Sequence, residues 1–413
     1  MNKEKKIWIL FNPRSGNRFT TSRILKKIKH FTSTKKNDRF KLFILEDQTT
    51  TQDLIKLARS SGIKKLLVCG GDGTVRSVAG EILHSDMAMC IFPIGSGNGV
   101  AKEIGTTDNI LYLLNHFDEG EWLTVDAGWC NNQIFLSTCG LGFDALVADT
   151  FDRLPIRGIP GYVWSVSRMM PRIENYEFWV YFNGVKLKKY GLFLTIANFN
   201  HFGNGFYISK DALPDDGFLN LVHIKYLPFY QWYKLFRIMQ NRQFELLQDN
   251  YSESKIKEVK IKSQFDFVHL DGEPYHTGKE IQIKVIPKCL NLWVVRKKKQ
   301  IEDENDGLVY STSSGWFSYE EDEDEENLED IPPQEQTLVV KLEKNHRGGK
   351  TVVIVSGFMG STSKLNELAA YIKKKCSTGG SVKDGDIIIQ GDKRDVVMKI
   401  LQDLGYKTKR SGA

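Results

Sequence analysis

The sequence predicts an α/β-plus-β protein in three parts. These are an N-terminal parallel α/β domain over residues 1–125, a β-sandwich-like second domain over 126–296, and a small C-terminal α/β plait over 337–413. Three observations predict it. Apolar strands alternate with amphipathic helices through the first 125 residues, the pattern of a parallel sheet covered by helices. Between Val259 and Val294 apolar and charged residues alternate with period two, the mark of an antiparallel sheet with one wet face. After a long acidic run, a compact mixed pattern restarts at Leu338.

Composition narrows the function classes. A chain of 413 residues has room for several domains with ample cores, and an apolar fraction of 41% is that of an ordinary globular protein. The six cysteines (69, 90, 130, 139, 289 and 376) include no C-x-x-C pair, so neither a zinc site nor a disulfide framework is expected. Residues 7–11 are the longest apolar stretch near the N-terminus, too short for a signal-peptide core, and no later run reaches about 18 apolar residues. The expected location is cytoplasmic. The net charge of +6 hides an asymmetry. Residues 300–336 carry 14 acidic and no basic residues; residues 1–299 carry a net +12 and residues 337–413 a net +8. Both basic regions should attract anions such as nucleotides, phospholipid headgroups or RNA.

In the first domain, the strand Ile7-Trp8-Ile9-Leu10-Phe11 runs into the turn Asn12-Pro13-Arg14-Ser15-Gly16-Asn17, which offers a hydroxyl and a guanidinium to an anion. A helix follows, with apolar positions at Ile24, Leu25, Ile28 and Phe31. A second strand (40–45) and helix (53–58) lead to Leu66-Leu67-Val68-Cys69, which stops at Gly70-Gly71-Asp72-Gly73-Thr74 before a helix with Val75, Val78, Ala79 and Ile82. A strand turning through glycines into a helix aims unpaired N–H groups at one point, an arrangement suited to phosphate. The next strand (89–94) breaks into Gly95-Ser96-Gly97-Asn98-Gly99. All three turns lie at C-terminal strand ends, where open parallel sheets bind ligands. A short helix (109–117) closes the domain.

From Val125-Asp126-Ala127-Gly128 the rhythm changes to strands at 134–136, 178–182, 192–196 and 219–224, then the alternating strands near the end. Only 161–170 and 228–248 read as helices, and the last strand is expected to return towards the first domain. Two carboxylate clusters stand out. Leu270-Asp271-Gly272-Glu273-Pro274 is a good hairpin turn; it also suits phosphoryl transfer, which needs a group to orient an acceptor hydroxyl and take its proton. Leu213-Pro214-Asp215-Asp216-Gly217-Phe218 reads as a solvated acidic turn or as oxygen ligands for a hard cation. Asp144, in Gly140-Leu141-Gly142-Phe143-Asp144-Ala145, reads as a headgroup contact or, preferably, a helix cap, and Trp164, Met169, Met170 and Phe202 to Tyr207 as core or as lining of an acyl cleft.

N-P-R-S-G, G-G-D-G-T and P-I-G-S-G-N, in this order and spacing, resemble the diacylglycerol kinase and sphingosine kinase superfamily, and the likeness runs to about residue 296. The G-S-G-N form is closer to the sphingosine kinase type. Phosphofructokinases and NAD kinases share the G-G-D-G turn without the other two. The resemblance implies ATP as donor, a lipid hydroxyl as acceptor, and an active site in the cleft between the first two domains. It implies nucleotide contacts at Asn12, Ser15, Gly16, Gly71, Asp72, Gly73, Thr74 and Ser96. Glu273 becomes the proton acceptor with Asp271 beside it, and Asp72 is the competing base. A structural Mg²⁺ is implied on Asp216 and the carbonyls of Leu213 and Phe218, with a catalytic Mg²⁺ arriving with ATP. One departure stands out. Relatives usually continue G-G-D-G-T-x-N-E, whereas this chain has Arg76 and Ser77, and Arg76 is either a source of phosphate-binding charge or a solvated helix residue.

Residues 297–336 read as an acidic disordered linker, since the run from Glu320 to Glu326 repels itself and buries nothing. Beyond it, strands at 338–342, 351–358 and 386–390 and helices at 363–375 and 393–404 form the plait. R-G-G-K-T-V-V-I-V-S-G-F and C-S-T-G-G-S-V-K-D-G-D-I-I-I-Q-G-D closely resemble the eukaryotic translation initiation factor 1 family and its prokaryotic relatives. By carry-over Arg347, Lys350 and Lys383 would face ribosomal RNA or initiator tRNA, and glycine-basic loops suit an RNA backbone.

The expectation is therefore an ATP-dependent lipid kinase, a phosphotransferase acting on an alcohol group, joined to a ribosome-binding type of module. Its partners would be a lipid substrate at the membrane surface, reached by peripheral association, and the small ribosomal subunit or its rRNA; a homo-oligomer is allowed. The alternatives are a soluble-substrate kinase of the NAD kinase type, or a catalytically dead kinase acting as a translation or RNA-binding protein.

Overall fold

The computed structural model of the chain describes residues 6–34, 37–45, 51–95, 97–154, 159–182, 184–203, 206–297, 332–343, 351–358, 360, 362–383 and 386–411. The chain divides into two compact units, Met1–Lys299 and Gln300–Ala413.

In the first unit, β1 (Ile7–Phe11), β2 (Phe40–Ile44), β3 (Lys65–Gly70) and β4 (Ala88–Pro93) pair in parallel in the order β2-β1-β3-β4. Every residue of β1 is buried, as a central strand covered on both faces requires. On one face pack α2 (Thr51–Ser60), α3 (Asp72–Ile82) and α4 (Gly99–Glu103); on the other pack α1 (Arg18–Ser33) and α5 (Ile110–Asn115). The spacing of Val75, Val78, Ala79 and Ile82 places one apolar stripe of α3 on the sheet, and all four are buried.

The second half is built from antiparallel strands. β5 (Glu121–Cys130), β6 (Gln133–Phe135), β7 (Thr138–Gly142), β8 (Tyr176–Phe182), β9 (Val185–Gly191), β10 (Phe193–Ala197), β11 (His201–Gly203), β12 (Phe206–Tyr207) and β13 (Leu219–Ile224) come first. β14 (Tyr251–Ile256), β15 (Glu258–Ser263), β16 (Phe267–Leu270), β17 (Glu273–His276) and the 15-residue β18 (Glu280–Val294) complete it. One sheet has the order β14-β13-β10-β7-β16-β17. Facing it is the far end of the first sheet, which continues β4-β18-β15-β8-β9. A core of Phe178, Val180, Ile196, Ile261 and Ile283 lies among the buried residues of this half.

The last strand does return to the first domain. β18 pairs antiparallel with β15 at its start and, past a bulge between Ile286 and Leu290, parallel with β4 through Asn291↔Ala88. β5 runs along it through both halves, so the boundary placed at 125/126 falls within a strand. The two halves share one continuous sheet.

Two helical expectations change. The segment 228–248 is a short 3-10 turn, then α8 (Trp232–Asn241), then a second 3-10 stretch, Phe244–Asn250. Besides α7 (Ile159–Met169) there is α6 (Phe143–Asp152), entered through Gly142 at φ +97°, a turn that hid the helix behind an apparent strand end. Met169 is buried, while Trp164 and Met170 are exposed. Among the described residues no helix is long and apolar enough to cross a membrane, and all six cysteines are buried and free.

The second unit is a five-stranded sheet in the order β21-β22-β20-β19-β23: β19 (Thr337–Glu343), β20 (Val352–Ser356), β21 (Gly380–Lys383), β22 (Asp386–Gln390) and β23 (Lys407–Ser411). The helices α9 (Thr362–Cys376) and α10 (Arg394–Asp403) pack Leu365, Leu368, Ile372, Val397 and Leu401 on it. β21 and β23 are the strands that periodicity misses, since their Gly, Ser and Lys content hides the alternation. Residues 298–331, Arg347 and Lys350 lie outside the described residues, as does the Lys383 side chain, so the RNA-facing assignments find no structural description; the linker's last residues are ordered instead, Pro333–Glu335 as a 3-10 turn and Gln336 buried with its carbonyl accepting the Lys407 N–H.

Candidate active site

The three glycine turns meet at the C-terminal ends of β1, β3 and β4, and hydrogen bonds tie each to the next. Asn12 Nδ2 donates to Thr74 Oγ1 (2.8 Å), the Gly71 N–H donates to Ser15 Oγ (3.1 Å), and Gly16, at φ +70°, backs onto the Ile94 carbonyl. Of the implied nucleotide contacts, Asn12, Ser15, Gly16, Gly71, Asp72, Gly73 and Thr74 therefore come together. Ser96 lies outside the described residues. The cradle floor is the start of α3, whose first N–H groups have no partner within the helix.

Asp72 links the second turn to the third. Its Oδ2 accepts the Asn98 N–H (2.8 Å) and its Oδ1 the Gly99 N–H (3.1 Å). Burial, then the nearby Asp271 carboxylate, raise its pKa to about 6 against the pull of those two N–H groups. Each oxygen accepts one backbone N–H, so Asp72, whatever its part in proton transfer, also organises the turn. Because its folded pKa lies above the unfolded 3.8, the folded state binds this proton more tightly, and the contribution of Asp72 to stability falls as pH rises from about 4 to about 6. Urea unfolding of wild type and Asp72→Asn at pH 4.5, 5.5 and 7 should show the difference between them moving against wild type by on the order of 2 kcal/mol, then levelling.

The LDGE loop closes the site from the second half. It is a two-residue hairpin between β16 and β17, with Asp271 (φ +52°) and Gly272 (φ +84°) both left-handed, as a D-G turn of this type requires. Asp271 accepts N–H bonds from Leu136, Ser137 (2.7 Å) and Thr138 (3.1 Å), and its own N–H reaches the Thr138 carbonyl. Its side chain is 3% exposed. Asp271, expected beside Glu273 as proton acceptor, has its carboxylate occupied by three buried amides, which make it a fastening for the loop.

Glu273 is different. Its side chain is 48% exposed, and it stands so close over the start of α3 that a Cβ on Gly73 would overlap Oε1. Arg76 holds it there. The guanidinium reaches across from α3, pairing Nη2 with Glu273 Oε2 (2.5 Å) and donating from Nη1 to the Leu270 carbonyl. Arg76 is therefore not a solvated helix residue; it ties the nucleotide turn to the LDGE loop. Lys102 on α4 is a residue that sequence reasoning passed over: burial lowers its pKa while the Asp72 charge opposes the shift.

At the acidic turn implied to hold Mg²⁺, protein groups take up the one carboxylate of the set. Asp216 Oδ2 is ion-paired with Lys255 Nζ (2.6 Å), and Oδ1 accepts the Phe218 N–H (2.9 Å). The neighbouring Pro214 carbonyl accepts the Asp126 N–H, and Asp126 Oδ2 accepts the Gly217 N–H. An ammonium already supplies the positive charge, and Leu213, Asp216 and Phe218 belong to a turn stapled to Asp126. Among the described residues no group of three or more His, Cys, Asp or Glu side chains is placed to hold a metal. Wild-type thermal stability should not change with added magnesium or a chelator, whereas Lys255→Ala, which frees the carboxylate, should gain a magnesium-dependent rise in Tm.

A parallel α/β half and a sandwich-like half are joined by one sheet, with glycine turns on one side and a carboxylate on the other, and the family matches identify this arrangement as a kinase. Residues 6–130 match the diacylglycerol kinase catalytic domain, and residues 137–294 match the YegS C-terminal NAD kinase beta sandwich-like domain. Residues 334–407 match translation initiation factor SUI1. A crystal structure of a putative diacylglycerol kinase from Bacillus anthracis str. Sterne superposes with a TM-score of 0.56 at 19% identity, over 71% of this chain and 98% of that one, a likeness of fold. The uncharacterized protein YciH of Escherichia coli (strain K12) is 39% identical over 113 residues, 27% of this chain and 99% of that protein. A protein translation factor SUI1 homolog from Sulfurisphaera tokodaii is 41% identical over 81 residues, 20% of this chain and 80% of the relative. The chain joins a diacylglycerol kinase catalytic domain at 6–130 and a YegS C-terminal domain at 137–294 to a C-terminal module through which it belongs to the translation initiation factor SUI1 family. The 113-residue match to YciH is longer than the module of 337–413, so it reaches back into the segment read as a linker.

Proposed function

We propose that the first unit is an ATP-dependent lipid kinase that transfers the γ-phosphoryl group to a lipid hydroxyl, with Glu273 as the proton acceptor. The observation that carries this reading is the Glu273 carboxylate standing directly over Gly73 of the phosphate turn. A group in that place meets an acceptor entering from the second half at the γ-phosphate. The N–H groups opening α3 and the side chains of Asn12 and Ser15 bind phosphate oxygens, and Asp72 keeps the third turn in register. Bound ATP, with its Mg²⁺, supplies the transferable phosphoryl group and the charge compensation at its phosphates. As the acceptor oxygen bonds to phosphorus, its proton passes to Glu273, and the β–γ bridging oxygen leaves on ADP with the electrons of the broken bond. Arg76 fixes the carboxylate so that no rotamer search precedes the transfer.

The substrate class is tested by incubating the protein with ATP and a total lipid extract and searching for species that gain one phosphoryl group. A new phospholipid that needs both ATP and protein is expected; an unchanged extract overturns the lipid reading. A soluble acceptor of the NAD type is favoured by one finding, the NAD kinase-like match of residues 137–294.

For the second unit we propose binding to the RNA of the small ribosomal subunit, supported by its net +8 charge over 337–413 and its SUI1 family membership. The full chain should co-sediment with small subunits and be released as salt rises, since phosphate contacts carry such binding. Absence from the pellet at low salt overturns it.

A further inference from the structure

Beneath the LDGE loop lies a buried acid–imidazole pair that the transfer just described does not use. Asp144, in the first turn of α6, and His269, on β16, are each only 2% exposed at the side chain, and His269 Nε2 lies 3.3 Å from Asp144 Oδ2. The Thr195 hydroxyl donates to the same oxygen (2.9 Å) and the Ala145 N–H to Oδ1 (2.8 Å). Oδ1 thus takes a first-turn N–H of α6, as the expected cap would, although the helix opens at Gly142 and Oδ2 is turned to β10 and β16. The strand opposite leaves room for nothing larger. His269 pairs with Gly140 of β7, where a Cβ would overlap both Asp144 Oδ2 and His269 Nε2.

The other ring nitrogen faces the active site. The Gly272 N–H donates to His269 Nδ1 at 3.3 Å. A nitrogen that accepts cannot carry the proton, so the ring is the Nε2–H tautomer, which donates to Asp144. The network runs from the buried carboxylate through the imidazole to the peptide immediately before Glu273. With it, every residue of the loop has an anchor: Leu270 through its carbonyl on Arg76, Asp271 through three amides, Gly272 through His269, and Glu273 through Arg76.

We propose that Asp144 and His269 are a positioning pair that fixes the Gly272 peptide and thereby the reach of the Glu273 carboxylate into the cleft. The proposal rests on Glu273 being the proton acceptor. A glycine at φ +84° between two anchored residues is the loop's softest point, and pinning its N–H removes the rotation that would swing Glu273 off Gly73. Asp144 acts one step further back. It sets the tautomer, in the way a carboxylate behind a histidine commonly does.

Two substitutions at His269 separate positioning from packing. Asparagine places its amide where Nδ1 stands and keeps an acceptor for Gly272, but loses Asp144; glutamine reaches the Nε2 position and keeps Asp144, but loses Gly272. If the pair acts through Gly272, His269→Gln lowers kcat about 10- to 100-fold with KM little changed, and His269→Asn recovers most of the loss despite a lower Tm. A purely structural role predicts the reverse order, with His269→Asn the worse enzyme, and that order overturns the proposal. Turnover is read with ATP and dioleoylglycerol in mixed micelles and, in parallel, with NAD. Two readouts need no turnover. Nitrogen-15 spectra of histidine-labelled protein should show His269 protonated at Nε2 alone. Hydrogen exchange of the segment 269–276 should quicken in His269→Gln and stay slow in His269→Asn. A proton on Nδ1, or equal exchange in both variants, overturns the pair whatever the acceptor proves to be. If instead wild type phosphorylates neither acceptor while both readouts hold, the kinase reading fails and the anchored loop stands.

Discussion

Glu273→Gln is expected to lower turnover by about 10²- to 10⁴-fold while leaving ATP affinity unchanged. The amide keeps the shape of the side chain and an oxygen for Arg76, but it cannot take a proton. Glu273 is also the one carboxylate of the three assigned to proton transfer whose oxygens are not tied up by backbone N–H groups. Asp72 holds Asn98 and Gly99, and Asp271 holds three amides. Equilibrium dialysis with labelled ATP and steady-state kinetics on the same preparation give both quantities. A variant that turns over like wild type removes Glu273 from the chemistry, and one that no longer binds ATP moves it to the nucleotide site.

Asp271→Ala is expected to cost about 3–5 kcal/mol of stability in urea unfolding, with an unchanged m-value. The substitution leaves the N–H groups of Leu136, Ser137 and Thr138 without their acceptor, next to a carboxylate pocket that is 3% exposed. Each orphaned buried donor costs about 1–3 kcal/mol, and water entering the vacated space recovers part of the sum. Asp271→Asn keeps an acceptor for some of these amides and should lie between the two. A loss below about 1 kcal/mol in the alanine variant would mean that the loop is held elsewhere.

The first half of this architecture was legible because its signals are local. An apolar run that ends in glycines and restarts as a 3.6-residue stripe names both elements and the turn between them, and the turns at Asn12, Gly71 and Gly95 did meet. The roles of charged residues were not legible, because their partners are far away in the chain. Arg76 finds Leu270 and Glu273, 194 and 197 residues on, and Asp216 finds Lys255, 39 residues on, where a cation had been expected. Asp271 looked chemical because carboxylates in a D-G-E turn look alike in sequence; what separates them is that one side chain points into the amides of 136–138 and the other over Gly73. The continuity of the sheet was half visible. The return of the last strand could be anticipated, but the pairing of β18 with β4 and with the whole of β5 is a long-range fact that no local period records. β23 escaped for a different reason: Lys407, Lys409 and Arg410 on a strand with one partner carry little apolar signal.

The central claim is that this cleft moves phosphate from ATP to a lipid hydroxyl. It is tested most directly by giving wild-type protein γ-labelled ATP together with both lipid vesicles and NAD in one reaction, and separating the products into organic and aqueous phases. The account predicts label in the lipid fraction, lost in Glu273→Gln. Label confined to the NAD fraction would contradict it.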